Sequence, residues 1–128
     1  MKKILVVDDD EDVLETIGLI LEIGGYNVEL LNDAKFIFEK IADFNPDLIL
    51  LDVVLGKIDG RVLCGQLKSD LKTKYIPILM ISGLYTTKEI EEMEYTPDDF
   101  MTKPFKMDML LDKIEHLVVK KKLRYTIN

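Results

Sequence analysis

Asp8, Asp9 and Asp10 stand directly after the apolar run Ile4-Leu5-Val6-Val7, and Asp52 closes a second run, Leu48-Ile49-Leu50-Leu51. Ser82 follows a third run that ends at Ile81, and Lys103 comes shortly after Phe100 and Met101. If these runs are strands of a parallel sheet, all of these residues gather at its carboxyl edge, where α/β proteins bind their ligands. Carboxylates crowded there repel one another and tend to hold protons unless a cation compensates them. The donors on offer are hard oxygens without histidine or thiolate, which favours Mg²⁺, or Mn²⁺ as a substitute, over Zn²⁺. A carboxylate left partly free beside a metal, a hydroxyl and an ammonium could accept a phosphoryl group and neutralise its oxygens, and Asp52 is the best-placed nucleophile. Each residue has a plainer explanation on its own, because aspartates cap helices, serines end strands and lysines are solvated. Those explanations give no reason for complementary groups at four strand ends in one crevice.

The elements that must position these groups can be read from the hydrophobic pattern. Unbroken apolar runs mark strands at residues 3–7, 28–31, 47–51, 76–81 and 100–101, and the segments between them have helical period. Strands buried on both faces read in this way when helices cover each side, so the pattern predicts a parallel α/β sheet. A first helix is expected from about Glu11, with Val13, Leu14, Ile17 and Leu21 on one face, ending at Gly24-Gly25 in a left-handed cap. A second should open after Asn32 or Asp33 and carry Phe36, Ile37, Lys40 and Ile41, with Pro46 closing the connection. A third spans residues 61–69, and the last runs over 106–120, burying Met109, Leu110, Ile114 and Leu117. Residues 86–93 support only a short, polar, acidic helix. Cys64 reads as a small core residue on the third helix, and His116 as a structural residue at the edge of the last.

With 128 residues, 48% of them hydrophobic and 32% charged, the chain fits one domain. No apolar run approaches the roughly 20 residues needed to cross a bilayer. The amino terminus lacks a long apolar region with a small-residue cleavage site, so a cytoplasmic location is expected, with no membrane partner. A net charge of −7 argues against direct nucleic-acid binding by this chain. The basic group Lys120, Lys121, Lys122 and Arg124 is expected to complement the negative end of the last helix.

In order along the chain, Leu5-Val6-Val7-Asp8-Asp9, Leu50-Leu51-Asp52, Ile58-Asp59-Gly60, Ile81-Ser82-Gly83 and Lys103-Pro104-Phe105 resemble the receiver domains of two-component response regulators over almost the whole sequence. The resemblance implies a flavodoxin-like, doubly wound, five-stranded parallel sheet of order 2-1-3-4-5 with helices on both faces. It implies Asp52 as phosphoacceptor, Asp9 as a direct Mg²⁺ ligand, Asp8 as an acidic partner acting largely through water, and Val54 as a ligand through its carbonyl. Asp10 would be peripheral. Ser82 would be the switch hydroxyl, Lys103 the cation pairing with the phosphoryl group, and Pro104 would follow through a cis peptide. Phe100 stands where the family places an aromatic residue that turns inward as the serine moves, although core packing also accounts for it.

A histidine kinase or phosphotransfer protein would donate the phosphoryl group, and an output domain or effector protein would receive the signal; the resemblance also allows a homodimer. On this reading residues 1–122 are the receiver and residues 123–128 a tail or the start of a linker. Three departures from the family pattern carry expectations of their own. Leu55-Gly56 replaces Met-Pro and should loosen the loop after Asp52. Tyr95-Thr96-Pro97 replaces Gly-Ala and should distort the fourth helix. Val54 and Leu84 put apolar side chains where fast-resetting members carry polar ones, which predicts a long-lived phosphoryl state.

Other readings account for part of the pattern. A haloacid-dehalogenase-type phosphatase also uses a strand-end aspartate pair, yet there the lysine precedes a late acidic pair, whereas Asp98-Asp99 here precedes Lys103. A pseudo-receiver would keep the fold without taking phosphate, against which stands the intact acidic set. A flavodoxin would need amides and hydroxyls, not three carboxylates, in its first loop.

Overall fold

The computed structural model describes residues 1–83 and 87–126, without the side chains of Thr87 and of residues 120–126. Five parallel strands form the central sheet: β1 (Lys3–Val7), β2 (Asn27–Leu31), β3 (Leu48–Asp52), β6 (Ile78–Ser82) and β7 (Asp99–Thr102). The short strands β4 (Val54–Leu55) and β5 (Ile58–Asp59) pair with each other as an antiparallel hairpin outside it. The sheet order is β2-β1-β3-β6-β7, which is 2-1-3-4-5 when only the strands of that sheet are counted.

Alternation along the strands sends neighbouring side chains to opposite faces. Leu5, Val7, Ile49, Leu51, Ile78 and Met80 enter a core closed by α2 (Ile37–Phe44), α3 (Gly60–Ser69) and α4 (Thr87–Glu91). Ile4, Val6, Leu48, Leu50, Leu79 and Ile81 enter a second core on the other face, closed by α1 (Glu11–Ile23) and α5 (Met107–Thr126). The apolar runs are unbroken because both faces are dry.

The caps follow local chemistry. Asp10 accepts the Asp12 and Val13 N–H groups at the start of α1, and Gly25, at φ +91°, turns the chain after its end. Asp33 caps a 3₁₀ turn, Ala34–Phe36, which leads into α2. Asn45, at φ 54°, closes that helix in the left-handed region, directly before Pro46.

Several boundaries depart from the sequence reading. Asp47 is not in β3, since its carboxylate accepts the Lys3 N–H (2.8 Å) and fastens β1 from outside the strand. β6 begins after Pro77, which has no N–H to give a ladder. α5 continues past residue 120 to Thr126, through a sequence without glycine or proline to stop it. Met109, expected to be buried, is half exposed, whereas Leu110, Ile114 and Leu117 are buried as expected and Val118 is buried with them. The loop after Asp52, expected to be loose, is a hairpin turned by Gly56 at φ +64°. α4, expected to be short and distorted, has five residues and buries Ile90. Cys64 is buried on α3, as expected. Leu84 and the side chains of Lys120, Lys121, Lys122 and Arg124 lie outside the described residues.

Candidate functional site

The register of the sheet assembles the site. Val7 of β1 lies level with Leu51 of β3, so Asp8 and Asp52 leave the two strands at the same height. Asp52 is level with Ile81, which puts Ser82 one residue beyond it, and Ser82 is level with Thr102, which puts Lys103 next. Hydrophobic burial of the preceding residues fixes that register, because a slip of one residue would turn each core face outward.

Carboxylate oxygens of Asp8, Asp9 and Asp52 lie within 4.8 Å of one another. Lys103 Nζ stands 3.4 Å from Asp52 Oδ2 and 3.5 Å from Asp8 Oδ2, bridging two of the three. Asp8 is buried and Asp9 is exposed, so the cluster runs from the sheet edge to solvent. Burial raises the Asp8 carboxyl to about 6; the Asp10 N–H and the Lys103 ammonium pull it down, and the neighbouring Asp52 charge pushes it up. A carboxylate held so reluctantly, in a set of hard oxygens alone, is the donor chemistry that suits a small divalent cation.

The remaining expected residues stand around this cluster. Val54 opens the hairpin, with its N–H 3.4 Å from Asp52 Oδ1 and its side chain partly exposed. Ser82 is buried and joined to Lys103 through the backbone, its carbonyl accepting the Lys103 N–H at 2.9 Å. The peptide between Lys103 and Pro104 is cis. Phe100 is set apart from the carboxylates: it lies opposite Met80 on β7 and packs against the core beneath α2, α3 and α4. Asp10 is a helix cap, its N–H donating to Asp8 Oδ1 (3.0 Å). His116 is exposed on α5.

Gly60 has a part in the site that the sequence reading did not assign. A Cβ there would lie 2.3 Å from the Asp52 carbonyl oxygen and 2.7 Å from Val53 Cα, and the Gly60 N–H donates to the Val53 carbonyl at 2.6 Å. The start of α3 is thus pressed against the backbone that carries Asp52. A glycine at the first helical position after the capping Asp59 was the available signal, but its cause is a tertiary contact.

Comparison with known proteins agrees with this geometry. The family model of the response regulator receiver domain matches residues 4–115. The DNA-binding dual master transcriptional regulator RpaA of Synechocystis sp. is 34% identical over 119 residues, which cover 92% of this chain and 49% of that protein. Response regulator MprA of Mycobacterium ulcerans is 36% identical over 122 residues, covering 94% of this chain and 52% of that protein. The chain therefore spans about half the length of these relatives. Among solved structures, a response regulator from Chloroflexus aurantiacus superimposes with a TM-score of 0.84 at 29% identity, covering 92% of this chain and 98% of that one.

Proposed function

The chain belongs to the response regulator receiver domain family, and from that premise we propose that it is a switch set by transfer of a phosphoryl group to Asp52. Receiver domains are phosphorylation-dependent regulatory modules of two-component signalling, not classical enzymes. The observation that carries the finer reading is the Lys103 ammonium held 3.4 Å from Asp52 Oδ2 beside two further carboxylates.

In the proposed step an Asp52 carboxylate oxygen attacks the phosphorus of a phosphohistidine. A P–O bond forms, the P–N bond breaks, and the departing imidazole takes up a proton. Asp8, Asp9, Asp52 and the Val54 carbonyl would hold Mg²⁺, which supplies charge neutralisation for the transferred group. Lys103 pairs with one phosphoryl oxygen, and the Ser82 hydroxyl moves to bond another. Added charge and strong acceptors at the sheet edge thus rebalance two conformations of the Ser82 loop, with Phe100 following.

The donor is a histidine kinase or phosphotransfer protein. The receiver of the signal is an output domain or effector protein, as the DNA-binding relative RpaA suggests. Residues 1–122 act as the switch unit, and residues 123–128 lead out of it.

The test is intact-protein mass after incubation with acetyl phosphate and Mg²⁺. One added phosphoryl group is expected, absent in Asp52→Asn and with chelator. Followed over time without phosphatase, the adduct should persist well beyond minutes, given the apolar Val54 beside Asp52. No adduct on folded protein would favour a pseudo-receiver, and decay within seconds would refute the long-lived state.

A further inference from the structure

The Val54 carbonyl is the one oxygen of the proposed cation site that belongs to the backbone, so its direction is decided by how the β4–β5 hairpin pairs. Leu55 and Ile58 flank the turn Gly56-Lys57, and the next pair outward is Val54 with Asp59. Beyond that pair the Gly60 N–H donates to the Val53 carbonyl at 2.6 Å. Hydrogen-bonded and non-hydrogen-bonded pairs alternate along an antiparallel ladder. The pair enclosed between the turn and the Gly60–Val53 bond is therefore of the non-bonded kind, and the Val54 N–H and C=O both face away from β5. The N–H lies 3.4 Å from Asp52 Oδ1, so that side of the strand looks towards the carboxylates.

This register depends on a turn of two residues. Gly56 has φ +64° and Lys57 a negative φ, the pattern of a type II′ turn, whose first central position suits glycine because a Cβ there is strained. The rest of the hairpin is anchored independently. Leu55 is buried in the core, Ile58 packs against it, and Asp59 caps α3 by accepting the Arg61 N–H (2.8 Å). The turn itself is exposed and stands against the cluster, since a Cβ on Gly56 would lie 3.7 Å from Asp9 Oδ2.

We propose that Gly56 is a positioning residue for the cation: by permitting the two-residue turn, it sets the register that turns the Val54 carbonyl out of the ladder on the Asp52 side. The proposal rests on the reading of Asp8, Asp9, Asp52 and Val54 as a Mg²⁺ site and adds what orients the backbone ligand. A residue that does not hold positive φ shifts the turn, and that ligand is lost while the three carboxylates remain.

The experiment is a Mg²⁺ titration of the ¹⁵N-labelled full chain, followed by amide chemical shifts. In the wild type the Leu55 amide, which shares its peptide group with the Val54 carbonyl, should move with the bound fraction. Gly56→Val should weaken the affinity by about 5-fold or more and flatten the Leu55 shift, because a β-branched residue is poorly held at positive φ. The double variant Gly56→Asn/Lys57→Gly, which supplies another two-residue hairpin turn, should restore both. Leu21→Ala, which weakens the core on the opposite face, should bind as the wild type does. The inference is overturned if Gly56→Val binds as tightly as wild type, if the double variant stays as weak as Gly56→Val, or if Leu21→Ala weakens binding equally. A wild-type chain whose shifts do not respond to Mg²⁺ overturns the cation site itself, whereas equal binding by the wild type and both Gly56 variants overturns this inference alone.

Discussion

Asp8 carries the least comfortable charge among the site residues, and its consequence can be signed. Its folded value, about 6, lies above the ordinary 3.8, chiefly because the group is buried. A raised carboxyl contributes its full stability below about pH 4, where it is neutral in both states, and loses that contribution as pH rises through about 6. In metal-free protein, Asp8→Asn should therefore gain about 1–3 kcal/mol relative to wild type between about pH 4 and pH 7 in urea unfolding. A constant difference across that range would show that Asp8 is not strained. The same proton competes with a cation, so Mg²⁺ affinity should weaken below about pH 6.

At the level of elements, the approach of α3 to β3 depends on one missing side chain. Gly60→Ala would drive a Cβ into the Asp52 carbonyl and Val53, and because these neighbours are backbone atoms no flexible side chain can yield. The expected loss is about 3 kcal/mol in urea unfolding, with slower adduct formation at Asp52. A variant of wild-type stability would mean that α3 shifts freely.

The strands and most helices were legible in the sequence, because continuous burial on two faces writes itself as apolar runs and the caps Asp10 and Asp33 stand where helices begin. The residues that approach one another at the site were legible for the same reason, as each directly follows a run. The hairpin β4–β5 and the ion pair of Lys68 with Asp98 were not, since a two-residue strand has no period to read and the partners lie 30 residues apart. Met109 was misplaced by a single helical position, which on a 100° step is the difference between core and solvent.

On the scale of the whole molecule, the sheet separates two cores of different make-up. Leu21 sits in one, at the far end of α1 from the carboxylates, and Ile41 in the other, near the end of α2. Leu21→Ala and Ile41→Ala should each cost about 2–5 kcal/mol in urea unfolding. Both should still form the acetyl phosphate adduct at the wild-type rate well below their melting temperatures. A large loss of adduct in a variant that remains folded would mean that the cores tune the site directly.

That division has a bearing on how news could travel through the protein. Strand alternation puts Asp52 in phase with Leu48 and Leu50, on the α1 and α5 side, and Ser82 in phase with Ile78 and Met80, on the side of α2, α3 and α4. The sheet is a wall between two rooms, solid through its thickness and open along one rim. An event at Asp52 would reach the other room by passing round that rim, where Ser82 and Lys103 are joined by a backbone hydrogen bond. The wall can stay rigid while the message crosses, and the doorway is only a few residues wide.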